Sequence, residues 1–356
     1  MNSCGRIGVV IFGITERNGT ERAVINFANT VAEMGEYTID IIELLGSSAP
    51  SAYTLKREVG RINLGLNKAS KTMFYSQMMI KMRRLLVENQ YDYLIGTTHS
   101  INSVLALGLN RGRIIGWEHM NYDACPKLSR VIRKYAYKKL YKLVVLTKED
   151  REKYLFLDSK KIYVVPNIIS TTGGGGFSEL RQRRIISIGR LTRQKGFDYL
   201  IDIAEIVHKS LPGWSFDIYG QGEDEPELRR KIKQKRLEGT VVIHKATSDI
   251  DIAYRSSSIF LLTSRWEGLP MVLLESQMYG IPAVSFDCPS GPSEIIENGR
   301  NGYLVPMGNI TDAARKIMVL CNNYGLRIKM GIEAKKMSER YSAPTIYALW
   351  KKVLEE

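Results

Sequence analysis

Short runs rich in Ile, Val and Leu recur along the chain, and between them apolar positions fall three and four residues apart. The first pattern predicts buried strands and the second helices with one apolar face, so their alternation predicts parallel sheets covered by helices. In the first half, strands are expected over 7–13, 37–43, 91–96, 113–117, 142–146 and 162–165, separated by helices over 21–34, 71–88, 126–141 and 148–156. Pro166-Asn167 and a polar stretch containing Gly173 to Gly176 interrupt the alternation and read as a flexible connector, natural or engineered. It resumes with strands over 184–189, 214–220, 241–244, 259–262, 283–286 and 302–305, and with helices beginning near Gly196, Glu225, Asp249, Pro270 and Pro292. The last third is helical. Its final segment carries Ile346, Leu349, Trp350 and Val353 at helix spacing, so Trp350 is expected to be buried, although periodicity does not say against which domain.

These elements predict an α/β protein of two doubly wound, Rossmann-like domains, 1–168 and 184–342, joined by a linker over 169–183. The length of 356 residues fits two domains, because one core seldom keeps growing to that size. In such sheets ligands bind beyond the carboxyl ends of the strands, so two facing domains would put an active site in the cleft between them.

Cys4, Cys125, Cys288 and Cys321 stand far apart without a C-x-x-C pair, which argues against a disulfide framework or a zinc site and fits a reducing cytoplasm. The apolar run 7–14 is too short to span a bilayer and has no small-residue cleavage site after it, so a soluble or peripheral protein is expected. Charge adds an asymmetry. The net charge is +14, and residues 1–168 hold 25 Lys or Arg against 15 Asp or Glu. Between Lys127 and Lys142 lie Arg130, Arg133, Lys134, Lys138 and Lys139 with no acid, interleaved with Val131, Ile132, Tyr135, Leu140 and Tyr141. This is a basic helix with an apolar side, either packed on a sheet with its charges in water or drawn to anionic lipid head groups. Nucleic acid is not expected as a partner, since no zinc-finger spacing, aromatic RNA-binding signature or helix-turn-helix is present. No feature fixes an oligomeric state.

The strongest chemical signal is RWEGLPMVLLESQMYGIP, in which Glu267 precedes a helix start and Glu275 lies within the helix, ended by Gly280. The unpaired backbone N–H groups of a helix start favour anions, so Leu269, Pro270, Met271 and Val272 form a candidate phosphate site between two carboxylates. One carboxylate can accept hydrogen bonds from sugar hydroxyls, the other from a ribose. GRLTRQKG ends the first strand of the second half and sends two cations, Arg190 and Lys195, toward the same sheet edge, where they can neutralise a departing diphosphate. Asn18-Gly19-Thr20-Glu21-Arg22 follows the first strand of the first half; Gly19 would let a phosphate approach the backbone, and a plain helix-start turn explains it equally well. His119 lies just beyond a strand and is a candidate substrate contact, His99 a weaker one, whereas His208 and His244 read by themselves as packed or surface residues.

The set of Gly19-Thr20-Glu21-Arg22, Trp117-Glu118-His119, Pro166-Asn167, GRLTRQKG, the E-x7-E run and Gly302-Tyr303-Leu304-Val305 resembles the retaining glycosyltransferases of family 4, of GT-B fold, over nearly the whole chain. The resemblance implies that Arg190 and Lys195 bind the donor diphosphate, that Glu267 faces the donor sugar and Glu275 the ribose, and that His119 lies near the transferred sugar. It places Gly220 to Gly222 and His244, Lys245 and Ala246 near the nucleoside base, although that segment lacks the glycine common in relatives. It also implies that the terminal helix, 343–356, crosses back onto the first domain, taking Trp350 with it. The expected donor is a UDP-sugar and the expected acceptor a glycan or lipid-linked oligosaccharide of a surface polysaccharide, made by a cytoplasmic protein in peripheral contact with the inner face of the cell membrane.

Cleavage of an anomeric carbon–oxygen bond leaves an oxocarbenium-like sugar and an anionic diphosphate, which fixed cations and helix-start N–H groups stabilise without a metal or a cofactor. In this retaining chemistry the leaving phosphate takes the acceptor proton, so no protein nucleophile is assigned and Glu267 is first a positioning residue. Asp249-Ile250-Asp251 spells D-x-D, a metal signature of another glycosyltransferase fold, but it opens a helix, where acidic residues are ordinary. Gly220-Gln221-Gly222 lacks the full dinucleotide fingerprint. A non-catalytic sugar-nucleotide or polyanion-binding protein would keep the same architecture, and donor turnover separates the two. An epimerase or phosphorylase would differ in its products, and no lysine stands out as a pyridoxal phosphate site.

Overall fold

The computed structural model describes residues 5–45, 49–67, 70–109, 113–169, 176–245, 247 and 250–356. They form two compact units, residues 1–168 with 343–356 and residues 169–342.

In the first unit a seven-stranded parallel sheet runs in the order β3-β2-β1-β4-β5-β6-β7. Its strands are β1 (Gly5–Ile11), β2 (Tyr37–Glu43), β3 (Val59–Asn63), β4 (Tyr93–Gly96), β5 (Arg113–Trp117), β6 (Lys142–Val145) and β7 (Ile162–Val164). The helices are α1 (Gly19–Met34), α2 (Lys71–Glu88), α3 (His99–Gly108), α4 (Lys127–Ala136) and α5 (Lys148–Glu152), and the last helix of the chain, α13 (Ala343–Glu355), packs on α1. Ser70, Thr98 and Thr147 cap α2, α3 and α5 by accepting from the backbone N–H three residues on. Gly35, in the left-handed region at φ 69°, ends α1 by donating its N–H to the Val31 carbonyl. One sheet face is covered by α2, α3 and α4 through Met78, Met82, Ile101, Leu105, Ala136 and Tyr137. Near α1 and α13 the aromatic rings of Phe27, Trp117 and Trp350 interlock, with centroids 4.5 to 5.4 Å apart.

The second unit holds a six-stranded parallel sheet in the order β10-β9-β8-β11-β12-β13. These strands are β8 (Arg184–Ile188), β9 (Ser215–Tyr219), β10 (Val241–His244), β11 (Ile259–Leu262), β12 (Ala283–Asp287) and β13 (Gly302–Pro306). Around them lie α6 (Phe197–Ser210), α7 (Glu225–Gln234), α8 (Ile250–Arg255), α9 (Met271–Met278), α10 (Pro292–Ile295), α11 (Ile310–Asn322) and α12 (Tyr324–Ser338). Both units are therefore doubly wound. The strand order reverses at β1/β4 in one and at β8/β11 in the other, and loops at the carboxyl ends of such pairs form natural binding sites.

Several local expectations are corrected. The strand β3 and the helix α3 are additional: β3 is an alternating edge strand with only Val59 buried, and α3 is a helix of ten residues behind the Thr98 cap. The helix expected over 126–141 stops at Ala136, followed by a 3-10 turn, Tyr137–Lys139, and then a strand that contains Lys142. Lys142 is buried and donates to the Val353 carbonyl at 2.7 Å, so it belongs to no solvated face. Arg133 is buried too, donating to Tyr154 Oη at 2.9 Å and to Cys125 Sγ at 2.6 Å. The apolar side of α4 does not pack on the sheet: Leu128, Val131, Ile132 and Tyr135 are exposed. The helix expected over 148–156 ends at Glu152. Most of the Gly173 to Gly176 connector, and Asp249 of the D-x-D, lie outside the described residues.

Candidate functional site

In the second unit Lys195 and Glu267, 72 residues apart in sequence, meet beyond β8 and β11, with Lys195 Nζ 2.7 Å from Glu267 Oε1. The loops that carry them are stitched together. Gly196 sits at φ 64° so close to β11 that a Cβ there would lie 2.1 Å from the Thr263 carbonyl oxygen, which only glycine satisfies. Gln194 donates to the Trp266 carbonyl at 3.0 Å, Arg265 N–H to the Gln194 carbonyl at 2.7 Å, and Thr263 Oγ1 to the Lys195 carbonyl at 3.2 Å. Arg265 adds a two-pronged bond to Asp198, at 2.9 and 2.7 Å, and lies over the Tyr199 ring. The carboxylate of Glu267, largely removed from water, also accepts from Ser264 Oγ at 2.6 Å. A positive charge is thus anchored at a sheet edge by a partner that is itself positioned. Arg190 differs: it is exposed and makes no ion pair among the described residues.

Helix α9 begins four residues after Glu267, with Pro270 at its N-cap. Proline has no N–H, so the donors free for an anion at this end are those of Leu269, Met271 and Val272 rather than all four residues of the expected site. Glu275 is buried little more than one turn into α9, and Tyr254 Oη donates to its Oε2 at 2.9 Å. Tyr254 stacks on Tyr279 at 4.9 Å, and Tyr279 bonds Asp251, the described acid of the D-x-D. No cluster of three metal-ligating side chains occurs among the described residues. Behind Glu267, its N–H bonds the Pro289 carbonyl, and Gly291 at φ 99° presses against the Gly268 carbonyl, where a Cβ would come within 2.5 Å. Ser264, Tyr254 and Gly291 escaped sequence reasoning because each acts on a residue distant in sequence or across a turn.

Beyond β9 and β10, Gly220 packs where a Cβ would lie 1.9 Å from the Gly189 carbonyl oxygen, so its absent side chain serves the approach of two turns. His244 stacks on Tyr219 at 4.5 Å, and its Nε2 lies 2.7 Å from Asp217 Oδ1. Tyr219 and His244, with exposed Lys245 and with Arg184, Ile252 and Ser256, line an open cavity of about 410 Å³, and Asp217 stands behind His244. A flat aromatic stack beside a carboxylate and two cations suits a planar, hydrogen-bonding ring. Ala246 lies outside the described residues.

In the first unit Gly19 opens α1 in an exposed position with no atom of the described residues within 4 Å of where a Cβ would stand, and Thr20 beside it is half-buried. Nothing in the packing of the described residues requires a glycine there. Glu21 in the same turn is buried, and burial raises its carboxyl to about 7. Beyond β5, Glu118 turns inward to Asn102 Nδ2, at 2.8 Å, and Tyr137 Oη. His119 lays its ring on Trp117 at 4.3 Å, with both ring nitrogens buried and without a hydrogen-bond partner among the described residues. Burial lowers its pKa to about 3, so the imidazole is neutral at physiological pH. His99, the first residue of α3, faces Cys125 Sγ at 3.4 Å, and burial lowers its pKa as well.

A pH experiment follows from His119. Its folded pKa lies below the unfolded value of 6.5, so the folded protein binds fewer protons between those limits and stability falls as pH drops below 6.5. By pH 5 the loss attributable to this ring is about 2 kcal/mol. Glu21 acts in the opposite sense: its pKa is raised, so its contribution is full below 4.5 and is lost as pH rises through 7. Urea unfolding at pH 7.5 and pH 5 should therefore show a difference between wild type and His119→Gln of about that size; identical pH dependence in the two proteins would refute a buried neutral ring.

Known proteins now bear on the site. Residues 176–337 match the model of glycosyl transferases group 1. An uncharacterized glycosyltransferase of Haemophilus influenzae is 32% identical across 98% of this chain and 99% of its own length.

The chain belongs to the group 1 glycosyl transferases.

The amylovoran biosynthesis glycosyltransferase AmsD of Erwinia amylovora is 30% identical over 97% of this chain and 98% of its own. The fold of this glycosyltransferase is that of Staphylococcus aureus TarM, solved with UDP and α-GlcNAc-glycerol bound: TM-score 0.86 at 17% identity, covering 99% of this chain and all of that one. It is the GT-B fold, and Lys195, Glu267, Glu275 and the cavity beside His244 all lie within the segment matched by the family model.

Proposed function

We propose that this glycosyltransferase is a retaining enzyme of the family 4 type that moves a hexose from a UDP-sugar to a glycan or lipid-linked acceptor in surface polysaccharide synthesis, without a metal. The observation that carries the reading is the Lys195–Glu267 pair at the β8/β11 reversal, flanked by exposed Arg190 and by the start of α9. Lys195, Arg190 and the N–H groups of Leu269, Met271 and Val272 stabilise the diphosphate as it departs. Glu267 takes the sugar hydroxyls, Glu275 the ribose, and the cavity beside Tyr219 and His244 the base. The neutral imidazole of His119 suits a sugar hydroxyl better than a charge would. Support for the donor comes from the UDP bound to TarM, and for the pathway from the role of AmsD in amylovoran synthesis. No helix among the described residues is long and apolar enough to cross a membrane. The proposed place of work is the cytoplasm, in peripheral contact with the inner face of the cell membrane when the acceptor is lipid-linked.

The test is release of UDP from a panel of UDP-sugars, followed by NMR of the anomeric configuration in the glycosylated product. An α-linked product from an α-linked donor is expected; inversion at that carbon would overturn the retaining assignment. Since the leaving group is neutralised by side chains and N–H dipoles, chelation with EDTA is expected to leave at least half the turnover. Loss of activity restored only by added divalent metal would point to a site this reading omits.

A further inference from the structure

Helix α4 is built with its sides reversed. Its apolar residues follow the i, i+3, i+4, i+7 spacing of a buried stripe, yet Leu128, Val131, Ile132 and Tyr135 are 71, 65, 45 and 76% exposed. The side facing the protein instead carries Arg133, Ala136 and Tyr137, of which Arg133 is only 1% exposed and held by Tyr154, Cys125 and the ring of Tyr122. A guanidinium enclosed by three partners fixes the rotation of the helix, so the apolar stripe stays outward. Exposed Lys127, Lys134, Lys138 and Lys139 border that stripe, and no acidic residue occurs between Asp123 and Glu149.

The surface continues beyond α4. Helix α2 exposes Met73, Ile80 and Val87, one residue every seven, beside Lys71, Lys81, Arg83 and Arg84, with Glu88 as the sole acid of the helix. Helix α3 contacts both α2 and α4, and all three cover the same sheet face, so their outer sides form one surface. Apolar side chains ringed by lysines match a bilayer interface that is apolar below its head groups and negative at them. A protein partner of matching charge would have to offer an acidic rim around an apolar groove; a bilayer of anionic lipid supplies both without specific shape.

We propose that the outer face of α4, extended by that of α2, is an insertion surface for anionic lipid bilayers. Val131 and Tyr135 enter below the head groups, and Lys134, Lys138 and Lys139 lie at the level of the phosphates. This rests on the proposed function only for the reason a bilayer should be near, and it is tested without donor or acceptor.

Co-sedimentation of the full chain with vesicles of phosphatidylglycerol and phosphatidylcholine in equal parts should show binding that phosphatidylcholine vesicles do not. Exchanging Lys134, Lys138 and Lys139 together for Gln should weaken it on the order of 100-fold at low salt, at about fivefold per cation. The Val131→Ser/Tyr135→Ser variant should weaken it at least about tenfold and remove the part that survives high salt. These exposed side chains support no core, and an unchanged melting temperature and UDP affinity would show that the variants are folded. Equal binding of the serine variant and wild type would overturn insertion, and equal binding to the two vesicle types would overturn the requirement for anionic lipid. A lipid-free dimer, seen by sedimentation velocity and abolished in the serine variant, would assign the face to a second copy instead. Donor hydrolysis unaltered in these variants would leave the proposed catalytic site untouched by any of these outcomes.

Discussion

Replacing Lys195 with alanine should lower kcat by about 10²- to 10³-fold, the loss expected when one preorganised donor to a developing anion is removed. The same change should destabilise the fold, since Glu267, buried beyond β11, loses the cation 2.7 Å away. Breaking a buried pair by removing one member can cost 3 to 5 kcal/mol, and with Lys195 still 16% exposed a loss of about 2 to 3 kcal/mol is expected. The two effects separate in a double variant. Lys195→Met with Glu267→Gln removes both charges, which should return most of the stability and none of the turnover. Arg190→Ala gives the complementary control: exposed and without an ion pair among the described residues, it should lose activity while its melting temperature stays within about 1 °C of wild type. Wild-type kcat/KM in folded Lys195→Ala and Arg190→Ala would defeat the diphosphate assignment.

The second large effect divides the two carboxylates. Glu275→Gln should weaken binding of free UDP by about 10- to 100-fold, the worth of a charge-assisted hydrogen bond to a ribose hydroxyl. Tyr254→Phe should reproduce part of that loss, because Tyr254 Oη donates to Glu275 Oε2 and sets its orientation. Glu267→Gln should instead leave UDP affinity within about threefold while lowering kcat with the intact donor by about 10²-fold, since only the intact donor carries the sugar hydroxyls it faces. Its hydrogen bond from Ser264 remains possible with an amide oxygen, so the loop should hold its place. Calorimetry with UDP beside steady-state kinetics with the UDP-sugar makes the comparison. Equal loss of UDP affinity in both variants would show that the two acids do not have separate roles.

The chemistry of this site was legible as residue types but not as partners. Arg190, Lys195, Glu267 and Glu275 each stand in a motif whose glycines and helix start mark them, whereas Ser264, Tyr254 and Gly291 carry no such local mark. Tyr254 reads as one apolar position of a short helix; only the packing of α8 against α9 turns its hydroxyl toward Glu275. His119 could be picked out by its place after β5, but its protonation state follows from the Trp117 ring and the burial around it, neither of which a strand-end position specifies.

What the sequence alone determined is the alternation of strands and helices, β3 and α3 excepted. Runs such as the Ile and Val residues of β1 and the Ile, Phe and Leu residues of β11 must be buried on both faces, and their alternation with helical periods leaves few architectures besides a doubly wound sheet. The edge strand β3 was missed because alternation in five residues with one buried side chain is too weak a signal. Tertiary structure decided two further matters. The pairing of β8 with β11 brings Lys195 to Glu267 across 72 residues of chain, and no local propensity encodes a neighbour at that separation. The direction in which α4 turns its apolar stripe was likewise undetermined, because periodicity gives the angle between apolar and basic sides but not which one meets the protein. Tyr154, Cys125 and Tyr122 settle it by enclosing Arg133: burying that guanidinium with three partners holds the helix in the one rotation that leaves Val131 and Tyr135 outside.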